Sequence, residues 1–548
     1  MLLKRFVAAA GIVLLAAGCV KIDSDLGVSS VPASQRYTTH VVSFDIDEMY
    51  LRMTDSLSGY SQTRLVIGSV RDADFGLTTR SACVTLLPLH DSLDLGKNPV
   101  CKSFYFSCGA DTISYVRENQ SAILQSVKVS ELLAPTNTVY DCNASVPHGS
   151  AKVSLGTPII NGVDSLSVSL LPSYGQKYLD VIAADTTIIH DYDRYIKALP
   201  GLYLETGEAS SEGSGRINAF SFQLTYDSDL GYITGNYGCL DYHSTYDGVE
   251  VDSTIFFYMC PSDTYNLDSL IENGTVGSYP QYCLNLTGHE RKYGNNVDLK
   301  DAESFRAEGG GGYKVVIPSS RLRELAIGAI KDTLGALGLN VADTSRTVIL
   351  KASLSLPFEF PEDYRDDYKY PTRISPTCRI HTSDTTVSYL GLTDSSDDNE
   401  DQGDMHRGLY CRYTPDISYH MQQVLLMNPA KVNEDYDLWM LNMAAETSTE
   451  STEGDSDLSE YYQYLAYQSY YNSVYGGYGG YSSYGYGDSY TNYYTYMMLA
   501  QYASGSTYTT SDITLDLCRF YNPKFYGPKC ADVHKRPTMT ITFAVPQE

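Results

Sequence analysis

Apolar and polar residues alternate along much of this chain, and the alternation predicts short strands separated by turns. Residues 42–46 alternate, with Ser43 and Asp45 between Val42, Phe44 and Ile46. Residues 165–170 alternate strictly, which marks a strand with one buried face. Residues 347–356 and 539–545 read the same way and are rich in the β-branched residues that suit a pleated, half-buried surface. Residues 126–133 fit both a strand and a helical turn: Val127 and Val129 alternate, whereas Glu131, Leu132 and Leu133 favour helix. A single stretch, from about residue 320 to 337, carries a helical stripe of Leu322, Leu325, Ala326, Ala329, Ile330, Leu334 and Leu337. Ser319 or Ser320 is expected to cap it, Gly335 weakens its last turn and Gly338 ends it. Many short strands and few helices predict a mainly β protein, with two or more β-sandwich or jelly-roll-like domains. The expected divisions are 36–230 and 231–548.

Two segments depart from this pattern. Residues 394–404 concentrate six acidic side chains, enough to attract a hard cation but without the spacing of a calcium loop. Residues 447–510 open with Ser, Thr and Glu and become rich in Tyr, Gly and Ser. Seventeen of the 49 tyrosines fall between Tyr461 and Tyr508. Glycine at that density removes packing partners and adds chain entropy, so the segment reads as a long insertion between two strands rather than as core. Tyrosine offers contact area and a hydroxyl at low entropic cost, which makes Tyr475, Tyr478, Tyr481 and Tyr484 candidate partner contacts.

The N-terminal residues predict export. Lys4 and Arg5 precede an apolar run at 6–17, which is about a dozen residues where a spanning helix needs about 20. The run ends in Leu15-Ala16-Ala17-Gly18-Cys19, which resembles the bacterial lipobox. That resemblance implies a signal peptide over 1–18, lipid on Cys19 and a tether over 19–35. Asp23 and Asp25 resemble the surface-export signal of Bacteroidota lipoproteins, which implies an outer-membrane protein facing the cell exterior. A net charge of -27 would repel phosphate backbones and argues against nucleic acid as a partner. Beyond Cys19 the chain holds eleven cysteines, an odd number. Cys101 with Cys108, and Cys518 with Cys530, are spaced as bridged pairs would be, and buried reduced thiols are the alternative.

A further resemblance rests on Asp55-Ser56-Leu57, on Arg64-Leu65-Val66-Ile67-Gly68, and on Asp74-Phe75-Gly76-Leu77-Thr78. Leu199-Pro200-Gly201-Leu202-Tyr203-Leu204 adds to it. Together they resemble an uncharacterised Bacteroidota outer-membrane lipoprotein family, the domain of unknown function four-two-seven-zero. Asp72-Ala73 stands where that family has Asp-Pro. The family brings no catalytic residues, and on physical grounds Gly68 and Gly76 are structural. Asp followed by Ser or Thr and then an apolar residue or Thr resembles the Bacteroidota O-glycosylation signal. That implies acceptor hydroxyls at Ser56, Ser92, Thr112, Ser165, Thr186, Ser253, Ser269, Thr333 and Thr385, although the same triplets are good turn-to-strand chemistry.

Catalytic motifs are missing: the sequence has no HExxH, no GxSxG and no P-loop. Gly309 to Gly312 run into Tyr313 and Lys314, but Val315 follows where a phosphate cradle needs Ser or Thr. Cys239 and His243 make two ligands, too few for a metal site. Glu359 and Glu362 form a carboxylate pair whose meaning depends on their separation. The expectation is a non-enzymatic surface lipoprotein with no cofactor. It would serve as an accessory or scaffold subunit of an outer-membrane complex, such as a β-barrel assembly machine or a TonB-dependent transporter. Glycan capture and a fimbrial or surface-layer role are the alternatives.

Overall fold

The computed structural model describes residues 36–546 apart from 62–63, 90–91, 112, 114–122, 223, 228–231, 260–276, 280–282, 292, 339–345, 362–368, 384–386, 393–401 and 452–506. Cys19, Thr112, Ser269, Glu362, Thr385, Tyr475, Tyr478, Tyr481, Tyr484 and most of the acidic run therefore lie outside the described residues. The protein is mainly β, with 50% strand against 17% helix, in large antiparallel sheets. It divides into two compact units, 1–442 with 517–548 and 443–516.

Within the larger unit, the alternating segments form strands where the pattern places them. Leu166–Leu170 shows a strictly alternating burial pattern. Val348–Pro357 and Thr538–Pro546 pair antiparallel, and Tyr37–Asp45 adds to the other side of Thr538–Pro546, with Tyr37 opposite Pro546. The ambiguous stretch is a strand, Gln125–Leu132, because Val127 and Val129 both reach the core. A 14-stranded sheet gathers strands between Tyr60–Ser61 and Cys283–Arg291. The division expected at residue 230 falls inside that sheet, since Gly238–Tyr246, Val249–Met259 and Cys283–Arg291 all belong to it. Tyr37–Asp45 and Tyr50–Met53 belong instead with strands from after residue 295. Alternation tells which face of a strand is buried but not which strand lies beside it.

Helices complete the two larger hydrophobic cores of this unit. Helices α1 (Pro172–Ala184) and α2 (Tyr192–Ala198) cover the first, and Tyr178 meets Phe104 and Phe257 edge-on at centroid distances of 5.1 and 5.6 Å. A register shift at Lys102 lets Cys101 join Phe104 and Phe106 on the buried face of strand Lys97–Ala110. Cys101 and Cys108 are thus free thiols about 20 Å apart along one strand, well beyond disulfide reach. Cys518 and Cys530 are likewise not bridged. Helices α3 (Ser319–Ala336) and α4 (Ser418–Leu426) cover the second core, with Leu322, Ala326, Ile330 and Leu334 as the buried stripe of α3. Leu337 lies outside that stripe, 56% exposed, and Gly338 ends the helix at a φ of 72°.

The smaller unit holds a hairpin. Residues 443–451 pair with Thr507–Leu515, from Met443 opposite Leu515 to Ser451 opposite Thr507. The low-complexity segment is therefore an insertion between two antiparallel strands, as its composition predicts. Its first residues, 447–451, and its last, 507–510, belong to the strands themselves.

Candidate functional site

A recess of about 650 Å³ opens in the larger unit between strand Arg373–His381, helix α4 and the turns that follow it. Ile380, Leu390 and Leu392 give it an apolar wall. Tyr419, Gln423, Lys431 and Asn433 stand around its mouth, and Cys378 with His420 closes the floor.

The floor is wired to the start of α3. Ser319 Oγ donates to the carbonyl of Tyr436 at 2.6 Å, which uses its only proton. It must then accept from His420 Nε2 at 2.8 Å, so His420 carries its proton on Nε2. Nδ1 of the same ring, left as an acceptor, lies 3.9 Å from Cys378 Sγ. Ser319 does not cap α3 as expected. Pro318 holds the cap position without a side-chain bond, and Asp437 Oδ1 receives the Ser319 amide at 3.3 Å. Asp437 Oδ2 binds Arg52 at 3.1 Å, yet burial still pushes its carboxyl up to about 6. The cap comes from 118 residues downstream because Ser319 is occupied with His420 and Tyr436.

Thiol, imidazole and hydroxyl stand here in the order of a nucleophile, its base and the base's orienting group. Their ionisation does not match that order. Burial pushes the Cys378 thiol up to about 12, and desolvation lowers His420 to about 4. Both are neutral at pH 7, and an activated thiolate needs the opposite shifts. At the rim, Asp435 Oδ1 accepts from His381 Nδ1 at 2.5 Å, and Oδ2 accepts from Asn433 at 3.4 Å. These bonds hold its carboxyl below the usual range, with His381 the main cause.

The glycine run belongs to a second polar cluster, fully enclosed. Lys314, 1% exposed, donates to the carbonyls of Glu308 and Gly310, which turns the loop's oxygens inward and leaves no cradle for phosphate. A side chain on Gly310, whose φ is 57°, would overlap the Arg80 guanidinium. Glu308 accepts from Thr78 Oγ1 at 2.6 Å and lies 3.6 Å from His289 Nδ1. Burial lowers His289 to about 4 despite that carboxylate.

The remaining sequence candidates are dispersed. Ser92, Ser165 and Thr186 are exposed, and Ser56 and Ser253 are half-buried. Thr333 is half-buried and donates its hydroxyl to the carbonyl of Ala329 within α3. His243 pairs with Asp252 and Glu250, while Cys239 is buried beside Asp241. Glu359 pairs with Lys524 and Asp404 with Arg373. Among the described residues, no three His, Cys, Asp or Glu side chains gather as metal ligands. The motif residues do structural work. Asp55 binds Arg379 through both oxygens, and Gly68 and Gly201 have φ of 152° and 111° where a Cβ would strike a backbone oxygen.

Sequence reasoning missed Cys378, His420 and Asp437 as site residues. They are spread between 378 and 437 without a spacing that marks them, and only the strand-to-helix packing brings them to Ser319. No family model, curated protein or solved structure matches the chain.

Proposed function

We propose that this protein is a lipid-anchored, non-catalytic outer-membrane lipoprotein that serves as an accessory subunit of a β-barrel complex, either barrel assembly machinery or a TonB-dependent transporter. The reading is carried by one observation. The strands on either side of the Tyr-rich segment form nine registered pairs, from Met443 opposite Leu515 to Ser451 opposite Thr507. A paired hairpin fixes both ends of the insertion and lowers the entropic cost of presenting its tyrosines to a partner. The lipobox-like Cys19 supplies the anchor in this proposal, and the acidic residues after it set the outward orientation. The neutral Cys378–His420 pair supports a non-catalytic role, since neither group is ionised for nucleophilic chemistry near pH 7.

Replacing Tyr475, Tyr478, Tyr481 and Tyr484 together by Ser tests the contact. Anchoring tyrosines typically carry 2 kcal/mol or more, so co-purification of the barrel partner is expected to fall by roughly thirtyfold. Membrane fractionation should be unchanged. Undiminished recovery of the partner would remove the tyrosines from the interface.

A further inference from the structure

The recess above α4 has an unequal set of walls. One side is hydrocarbon, from Ile380, Leu390 and Leu392. The other presents the Gln423 amide, the Lys431 ammonium and Asn433. The one carboxylate on the rim, Asp435, spends both oxygens inside the protein, on the His381 amide and imidazole and on Asn433. Lys431 differs from it: among the described residues no carboxylate lies within ion-pair distance of its ammonium. Its backbone is also fixed. Pro429–Lys431 forms a 3-10 turn, Asn428 Oδ1 receives the Ala430 amide at 3.0 Å, and Asn433 N donates to the Lys431 carbonyl at 3.1 Å. Lys431, an exposed side chain on that fixed turn, lines the recess together with Gln423, Asn433 and the apolar Ile380, Leu390 and Leu392, in a cavity within the size range of small-molecule sites.

We propose that this recess binds a small organic carboxylate, with the acid group on Lys431 and Gln423 and the hydrocarbon body against Ile380, Leu390 and Leu392. A carboxylate gains charge-assisted bonds from the ammonium and amide hydrogens, while a cation would meet only a carboxylate already in use. The chain's charge of -27 does not prevent this, because charges beyond about 8 Å are screened at physiological salt. The floor, neutral Cys378 and His420, adds no competing charge at pH 7. The inference is independent of the docking role. Octanoate binding and partner recovery are separate readouts, and either can fail without the other.

Titration calorimetry of the full chain tests it, with sodium octanoate as the probe and octanamide and glucuronate as contrasts. Octanoate is expected to bind. Octanamide, of the same shape without charge, is expected to bind about tenfold more weakly. Lys431→Met is expected to weaken octanoate by a similar factor. Leu390→Asn, at a position 51% exposed and so safe for folding, should also weaken it with an unchanged melting temperature. Absence of octanoate heat, equal binding of octanoate and octanamide, or full binding by the folded Lys431→Met variant would overturn the proposal. Glucuronate binding more tightly than octanoate would overturn the hydrocarbon body.

Discussion

At the residue scale, buried ionisable groups govern how this protein responds to pH and to substitution. His289 and His420 are both lowered to about 4 by burial. The unfolded chain takes up protons near pH 6.5 and the folded chain does not, so stability present above that pH is lost as pH falls toward 4. Asp437, raised to about 6, works the other way, since the folded state protonates it first. Two histidines outweigh one carboxyl, and a net loss on the order of 3 kcal/mol is expected between pH 6.5 and 4. Urea unfolding at pH 7, 5.5 and 4.5 checks this, and a midpoint that rises on acidification would contradict it. Lys314 makes a second case. Lys314→Met leaves the buried carbonyls of Glu308 and Gly310 without their donor, which should cost roughly 2–5 kcal/mol. Little of this was legible beforehand. Gly309 to Gly312 read correctly as a loop rather than a phosphate cradle, but the sequence gives no sign that Lys314 turns inward. Ser319 read as a cap because Ser before an apolar stripe usually is one, and Asp437 cannot be seen as its substitute without the fold.

At the element scale, strands were more legible than helices, for a physical reason. Alternation at 165–170 and 538–546 survives burial, because one face stays wet. Helix α1 begins Pro172-Ser173-Tyr174-Gly175, which reads as a turn. Proline is favourable at the first helical position, however, and Gly175 is needed because a Cβ there would sit 2.4 Å from Cys101 Sγ. Helix α4 is too short to carry a periodic signal of its own. Glycines in helices are therefore not alike. Gly175→Leu should destabilise the protein by about 1–3 kcal/mol or more, since its side chain would run into Cys101 and Phe104 of strand Lys97–Ala110. Gly328→Ala and Gly335→Ala in α3 meet nothing within 4 Å and should each stabilise by roughly 0.5–1 kcal/mol. Chemical unfolding of the three variants separates the cases, and stabilisation by Gly175→Leu would contradict the close helix-to-sheet packing.

At the scale of the whole molecule, the sequence foretold a mainly β chain and the low-complexity insertion between two strands. It misplaced the division between sheets, because the strands of residues 238–291 turn back onto those of 64–221 and Tyr37–Asp45 crosses to Thr538–Pro546. Long-range pairing of that kind leaves no local mark. The proposed role draws the anchor, the neutral floor of the recess and the hairpin-borne tyrosines into one account, that of a tethered subunit that binds rather than reacts. The most direct test is to extract the tagged full chain from its native membrane in mild detergent and identify what travels with it by mass spectrometry. The account predicts a β-barrel protein in a fixed ratio to the chain, retained after salt washing. A chain recovered alone, or with proteins in no constant ratio, would contradict it.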